Sequence, residues 1–218
     1  MINLQKGQKI DLRKSSGEKL TNFCVGVNWG AIQEKAFFGL TTKNKSVDLD
    51  LSCILIDENG EACDHIYSPL YDAQALAKIG LPAGKLVSID GALCHSGDDL
   101  AGDEGGDDGL DNEIITVDLN KINPNVSKIF FFLNNVGAED FSQIPYSKIR
   151  MYEGTPKRVN SVFASYNVSA EASYKNKRAL ILGKLYKRND EWKFDAIGDA
   201  TDDVNFAVTI SRILRDYK

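Results

Sequence analysis

The chain has 218 residues, 26 Lys and Arg against 31 Asp and Glu, and a formal charge of −5. That length can bury a real core without disulfide or metal staples, and the ordinary apolar and charged fractions exclude disordered and fibrous classes. No apolar run approaches membrane-spanning length, no apolar leader follows Met1, and no basic stripe interleaved with aromatics is present. No membrane insertion and no nucleic-acid partner are therefore expected, and a cytoplasmic location is. Cys24, Cys53, Cys63 and Cys94 form no CxxC pair and lie mostly in or beside apolar runs, which predicts reduced core thiols.

In chain order, strand patterns fall at Leu20–Val27, Val47–Asp57, Leu86–Leu93, Glu113–Leu119, Lys128–Asn134, Ile149–Tyr152, Ser161–Val168, Ala179–Lys187 and Glu191–Gly198. In Val47–Asp57, alternation puts Leu49, Leu51, Cys53 and Leu55 on one face and Asp48, Asp50 and Ser52 on the other, where the two carboxylates either point to water or need something positive beside them. Lys128–Asn134 is apolar on both faces, as in a central strand covered from both sides. Arg188–Glu191 (RNDE) reads as a hairpin turn. Two stretches break the pattern. Asp72–Ile79 reads as a short helix capped by Asp72 and ended by Gly80–Gly84, with Tyr71–Lys85 standing as an insertion. From about Val204 to Tyr217 a helix presents Val204, Ala207, Val208, Ser211 and Leu214 on one face, predicted to pack on the sheets. The fold class expected is mainly β, a single sandwich-like domain over residues 1–218 with a short helical insertion and a C-terminal helix.

The segment His95–Glu113, HSGDDLAGDEGGDDGLDNE, is the local exception. It holds eight of the 31 acidic residues and no Lys or Arg, and without it the 26 basic residues would outnumber the acids. Carboxylates crowded this closely must be screened by water and salt or neutralised by a hard divalent ion. Calcium suits the composition, since it takes several carboxylate and carbonyl oxygens in a flexible shell and the glycines let a short loop fold back on itself. Strand patterns on both sides hold the loop at the rim of one sheet structure. The segment fits no EF-hand: counted from Asp99, the third position is Ala101, the turn position is Glu104 and the twelfth is Leu110. Zinc on Cys63, His65, Cys94 and His95 fails because adjacent Cys94 and His95 point to opposite faces of an extended chain. Ser96 has no GxSxG elbow around it.

Taken together, Val47–Ser52 (VDLDLS), His95–Asp99 (HSGDD), Gly102–Glu113 (GDEGGDDGLDNE), Ile115–Leu119 (ITVDL), Ile149–Tyr152 (IRMY) and Leu182–Trp192 followed by Lys193–Gly198 (KFDAIG) resemble the TerD family of tellurium-resistance and general stress proteins. The resemblance runs from about Val25 to Gly198. It implies a β-sandwich that binds Ca²⁺ through the acidic loop, without catalysis, and acts through protein partners of a stress-response system. Carried onto this chain, the implied metal ligands are Asp98, Asp99, Asp103, Asp107, Asp108 and Glu113, with Asp48 and Asp50 of the DLDLS motif alongside. On that reading, replacing Asp107 and Asp108 by Asn should weaken calcium binding strongly. The chain departs from the family pattern where Asp99 stands in place of the usual Asn. Two other classes compete: a metal-dependent hydrolase or phosphotransfer enzyme with His95 as base, and a calcium-dependent carbohydrate- or nucleotide-binding module.

Overall fold

The computed structural model describes residues 2–3, 5–14, 16–36, 41–167 and 172–218. Two six-stranded sheets face each other. One runs β1 (Ile2–Asn3), β12 (Arg158–Asn167), β11 (Ser147–Thr155), β3 (Asn22–Trp29), β9 (Glu113–Asp118) and β8 (Leu93–His95). The other runs β2 (Lys9–Asp11), β14 (Glu191–Thr201), β13 (Ala179–Arg188), β10 (Val126–Asn135), β6 (Leu49–Asp57) and β7 (Ala62–Ile66). A separate hairpin joins β4 (Ile32–Ala36) to β5 (Thr41–Lys45).

The alternation read in the sequence builds both layers. Leu49, Leu51, Cys53 and Leu55 of β6 and Ile129, Phe131 and Leu133 of β10 turn inward to meet Val25, Val27, Ile115 and Val117 of the facing sheet. Phe130 and Phe132 point outward, and with Ile54, Ile56 and Ile181 they are covered by two helices, α1 (Ala73–Lys78) and α2 (Phe206–Asp216). β10 is thus a central strand buried on both faces, as its unbroken apolar run requires. Asn189 and Asp190 both take positive φ (53° and 59°) between β13 and β14, the conformation a two-residue hairpin turn demands.

Four expectations need correction. Leu86–Leu93 is not a strand: Ser88–Gly91 turns sharply, with the Gly91 N–H donating to Ser88 O at 2.9 Å, and only Leu93 enters β8. Its apolar residues suited alternation, yet Ile89 is 81% exposed at the turn. The helix α2 buries Phe206, Thr209, Ile210 and Ile213, whereas Val204 and Val208 are exposed, so the packed stripe is the one carrying the larger side chains. Asp50 does not face water: it is 4% exposed, because the outer face of its sheet is covered. Cys24 and Cys53 are buried free thiols, but Cys63 and Cys94, also free, are exposed. The proposed end of the seventh strand, Val168, lies outside the described residues. The Asp72 cap holds as expected, accepting from Gln74 N at 2.8 Å and Ala75 N at 3.2 Å.

One connection ties the layers together at an edge. Past β7, Tyr67 O accepts from Lys85 N at 3.0 Å, and two residues on, Val87 bridges Cys94 of β8 while Leu86 O accepts from His95 N at 2.8 Å. The segment 85–87 therefore spans from one sheet to the other. It passes so close to the chain at Ser68 that a Cβ on Gly84 would lie 2.0 Å from the Ser68 carbonyl oxygen. No described helix is long and apolar enough to cross a membrane.

Candidate cation site

The acidic segment forms the long connection between β8 and β9, which pair directly with His95 opposite Ile115. Its neck is closed by Ser96, whose N–H donates to Ile114 O at 2.8 Å while its hydroxyl accepts from Ile114 N at 3.0 Å. Further out, the loop is laced to the sandwich: Asp103 N to Trp29 O (2.9 Å), Ala31 N to Asp103 O (3.0 Å) and Val47 N to Ala101 O (3.0 Å). Gly102 lies against the buried Trp29 indole, where a Cβ would come within 2.5 Å of ring atoms. These backbone bonds describe a structured loop, not a solvated tether.

The acids divide into two groups. In the inner group, Asp48, Asp50 and Asp98 each offer a carboxylate oxygen, all within 4.8 Å of one another. Asp48 precedes β6, Asp50 lies on it, and Asp98 follows β8. They meet because β7 pairs with β6 only from Cys53 onward, leaving the first residues of β6 open to the loop. The Leu51 N–H, without a β7 partner, donates instead to Glu113 Oε2 at 2.7 Å, and Glu113 Oε1 accepts from Asp99 N at 3.1 Å. Glu113, 1% exposed, thereby pins the loop to the opposite sheet.

Among the described residues, no Lys or Arg bonds to this inner group. Burial, with Asp98 and Asp99 adding repulsion, pushes the Asp48 carboxyl up to about 6. Burial pushes Asp50 up to about 8 against the opposing hydrogen bond from Tyr71, and Glu113 up to about 9. His95 Nε2 lies 3.4 Å from Glu113 Oε2, a distance that would suit an ion pair; burial lowers the imidazole and raises the carboxyl, so near pH 7 the contact is between neutral groups. The Gly97 N–H donates to His95 Nδ1 at 3.1 Å, which places the ring proton on Nε2, facing Glu113. Two buried oxygens, Asp48 Oδ1 and Asp98 Oδ1, have no hydrogen-bond partner.

The outer acids are already matched. Asp99 Oδ1 accepts from Ala101 N (2.9 Å) and Gly102 N (3.0 Å), folding the loop over itself. Asp103 accepts from Tyr146 Oη at 2.8 Å and Asn112 Nδ2 at 3.2 Å. Asp107 is bonded by Lys148 and Asn28, and Lys148 holds its carboxyl below the usual range. Asp108 accepts from Leu110 N at 2.8 Å at the exposed rim. Asp111, with a fully buried side chain, takes the Arg150 guanidinium at 2.8 Å and lies where a Cβ on Gly26 would collide, 2.1 Å from its Oδ2. Of the eight ligands implied by the resemblance, the structure therefore gathers three, sets Glu113 against them, and places Asp99, Asp103, Asp107 and Asp108 in separate hydrogen-bond arrangements. The Cys63, His65, Cys94 and His95 set does not gather among the described residues.

Comparison with known proteins gives the family. The TerD domain family model matches residues 1–207. The chain belongs to the TerD family. It is similar to the tellurium resistance protein TerZ of Serratia marcescens, 30% identical over 201 residues that cover 92% of this chain and 90% of that protein. It is similar also to the stress response protein SCP2 of Bacillus subtilis (strain 168), 31% identical over 218 residues covering 97% and 98%. Among solved structures, a TerD homologue, SCO6318 from Streptomyces coelicolor A3(2), superposes with a TM-score of 0.58 at 12% identity, covering 84% of this chain and 91% of that one, and shares the fold.

Several residues around this TerD-family site were invisible as such in the sequence. Lys148 and Arg150 come from β11, Asn28 from β3, and Ser68 and Tyr71 from the stretch between β7 and α1. The alternation of Lys148 and Arg150 in one strand was the only signal, and it shows a shared face without showing what that face meets.

Proposed function

We propose that this TerD-family chain is a non-enzymatic calcium-binding protein of a cytoplasmic stress or tellurium-resistance response, acting by offering protein partners a surface that depends on the bound ion. The observation that carries this is the inner group: three carboxylates converging on one another with buried oxygens of Asp48 and Asp98 unpartnered and, among the described residues, no Lys or Arg bonded to them. Two like charges about 4 Å apart repel by about 4 kcal/mol at an effective dielectric constant of about 20, so a cluster of this kind stays protonated or takes a cation. All its donors are hard oxygens, which suits calcium or magnesium over softer metals. Asp48, Asp50 and Asp98 would hold the ion, and it would supply the positive charge that no side chain brings.

The competing hydrolase needs a base with a lone pair free for water. His95 favours the non-enzymatic reading, since its Nδ1 lone pair is taken by the Gly97 N–H and its Nε2 faces Glu113. The family names of the relatives supply the physiological setting. Calorimetric titration and thermal melting with Ca²⁺ and Mg²⁺ test the reading. Calcium at 100 times its Kd should add about 2.7 kcal/mol to stability. Neither heat nor a melting shift at millimolar calcium would sink it.

A further inference from the structure

The chain between β7 and α1 touches the inner acids twice. Ser68 donates its hydroxyl proton to Asp98 Oδ2, and Tyr71 donates its own to Asp50 Oδ2. Each hydroxyl has a single proton, so neither can turn elsewhere without leaving a buried carboxylate oxygen unpaired. The Ser68 hydroxyl is fixed from the other side as well, accepting from Leu70 N at 3.1 Å. Asp98 is thereby held by Oδ2, while its Oδ1 accepts from no N–H or hydroxyl among the described residues and its carboxyl lies against that of Glu113. Carboxylates that bind metal are oriented by hydrogen bonds of this kind, and loss of such a partner weakens binding by about 10- to 100-fold.

The same short turn carries α1. Tyr71 immediately precedes the Asp72 cap, and its ring stacks on Phe206 at the start of α2, with centroids 4.2 Å apart and planes 19° from parallel. α1 has six residues, of which only Leu76 is buried. A helix that short is not stable alone and takes its order from what anchors its ends.

We propose that Ser68 and Tyr71 are positioning residues of the acid cluster, and that through them occupancy of the cluster by a divalent cation sets how firmly α1 is held against α2. This rests on the reading of Asp48, Asp50 and Asp98 as a cation site. A bound ion fixes Asp50 and Asp98, the two fixed carboxylates hold the two hydroxyls, and the turn they clamp is the root of α1. In the cation-free protein no ion fixes these two side chains, and the turn is held by the two hydroxyl contacts alone.

The test uses the full chain with Ca²⁺ as the probe and compares wild type with Ser68→Ala, Tyr71→Phe and Tyr67→Phe. Tyr67 belongs to the same aromatic group, 5.0 Å from Phe206, but its hydroxyl donates to Pro82 O, away from the acids. Calorimetry should show affinity falling by about 10- to 100-fold in Ser68→Ala and Tyr71→Phe, with Tyr67→Phe unchanged. Hydrogen exchange at residues 73–78 should slow on calcium addition in wild type and in Tyr67→Phe, and fail to slow in Tyr71→Phe at saturating calcium. Equal affinity in wild type and Tyr71→Phe, or an equal loss in Tyr67→Phe, would overturn the positioning role while leaving the cation site standing. Calcium binding without any change at α1 in wild type would overturn the coupling. No heat with wild type would overturn the cation site and this inference together.

Discussion

The inner and outer halves of the acidic region have similar composition and opposite electrostatics. Asp107 and Asp111 in the outer half are answered by Lys148 and Arg150, and Asp103 by Tyr146 and Asn112. Among the described residues, Asp48, Asp50 and Asp98 in the inner half meet hydroxyls, the Glu113 carboxyl and one another, and no Lys or Arg. A count of carboxylates therefore does not single out a candidate cation site. What singles one out is a subset of acids that the fold buries together and leaves without a positive partner.

Breaking the inner half should have the largest effect. Asp50→Asn with Asp98→Asn is expected to lower calcium affinity by more than about 100-fold, since a hard ion loses two anionic oxygens. Above about pH 8, where Asp50 loses its proton, the same change should also raise the melting temperature of the cation-free protein, and titration with melting in chelator reads both. A backbone contrast comes next. Gly84→Ala should cost about 1–3 kcal/mol, because the new Cβ meets the Ser68 carbonyl, and Gly105→Ala in the outer loop, with nothing within 4 Å, should be close to neutral in denaturant unfolding.

The halves should also differ in the sign of their pH dependence. Asp50 and Glu113 hold protons in the folded state up to about 8 and about 9, which an unfolded chain releases near its ordinary carboxylate value. Their contribution to stability is complete below about pH 4 and is lost as pH rises through those folded values. Asp107 runs the other way: its lowered value gives stability above the ordinary carboxylate range, lost as pH falls through the folded value. Melting curves between pH 5 and 9 in chelator should fall with pH, and saturating calcium should flatten or reverse that slope because the ion competes with protons. A chelated protein that gained stability from pH 5 to 9 would contradict the protonated inner cluster. The smallest effect expected is that of Asp107→Asn with Asp108→Asn: a few-fold change in calcium affinity and a small, salt-screened shift in melting. An effect matching that of the inner pair would move the site into the outer loop.

Most of the layered architecture was legible in the sequence, because buried strands announce themselves by period: β6, β9, β10 and the β13–β14 hairpin lie close to where alternation and the RNDE turn put them. Short or polar strands were not legible. β5 (TTKNK) is exposed throughout, and β1 and β2 have two and three residues, too few to establish any period. At the site, the acids themselves were evident in His95–Glu113 and in the DLD of β6. Their partners were not, because Ser68, Tyr71, Lys148 and Arg150 reach the loop through tertiary contacts, and nothing local in Ser68–Tyr71 (SPLY) records that two hydroxyls will meet two carboxylates.

The bridge at residues 85–87 has a consequence for behaviour in a crowded solution. Sheet margins expose rows of unmet amides and carbonyls that recruit strands from other molecules. On one side of this sandwich the marginal strands β1 and β2 offer little to recruit, being two and three residues long. On the other side the margins β7 and β8, five and three residues long, are shielded jointly, since Lys85 engages the chain just past one and Leu86 and Val87 engage the other. One three-residue stretch thus guards two templates. Its loosening would be felt first as self-association of molecules that are still folded.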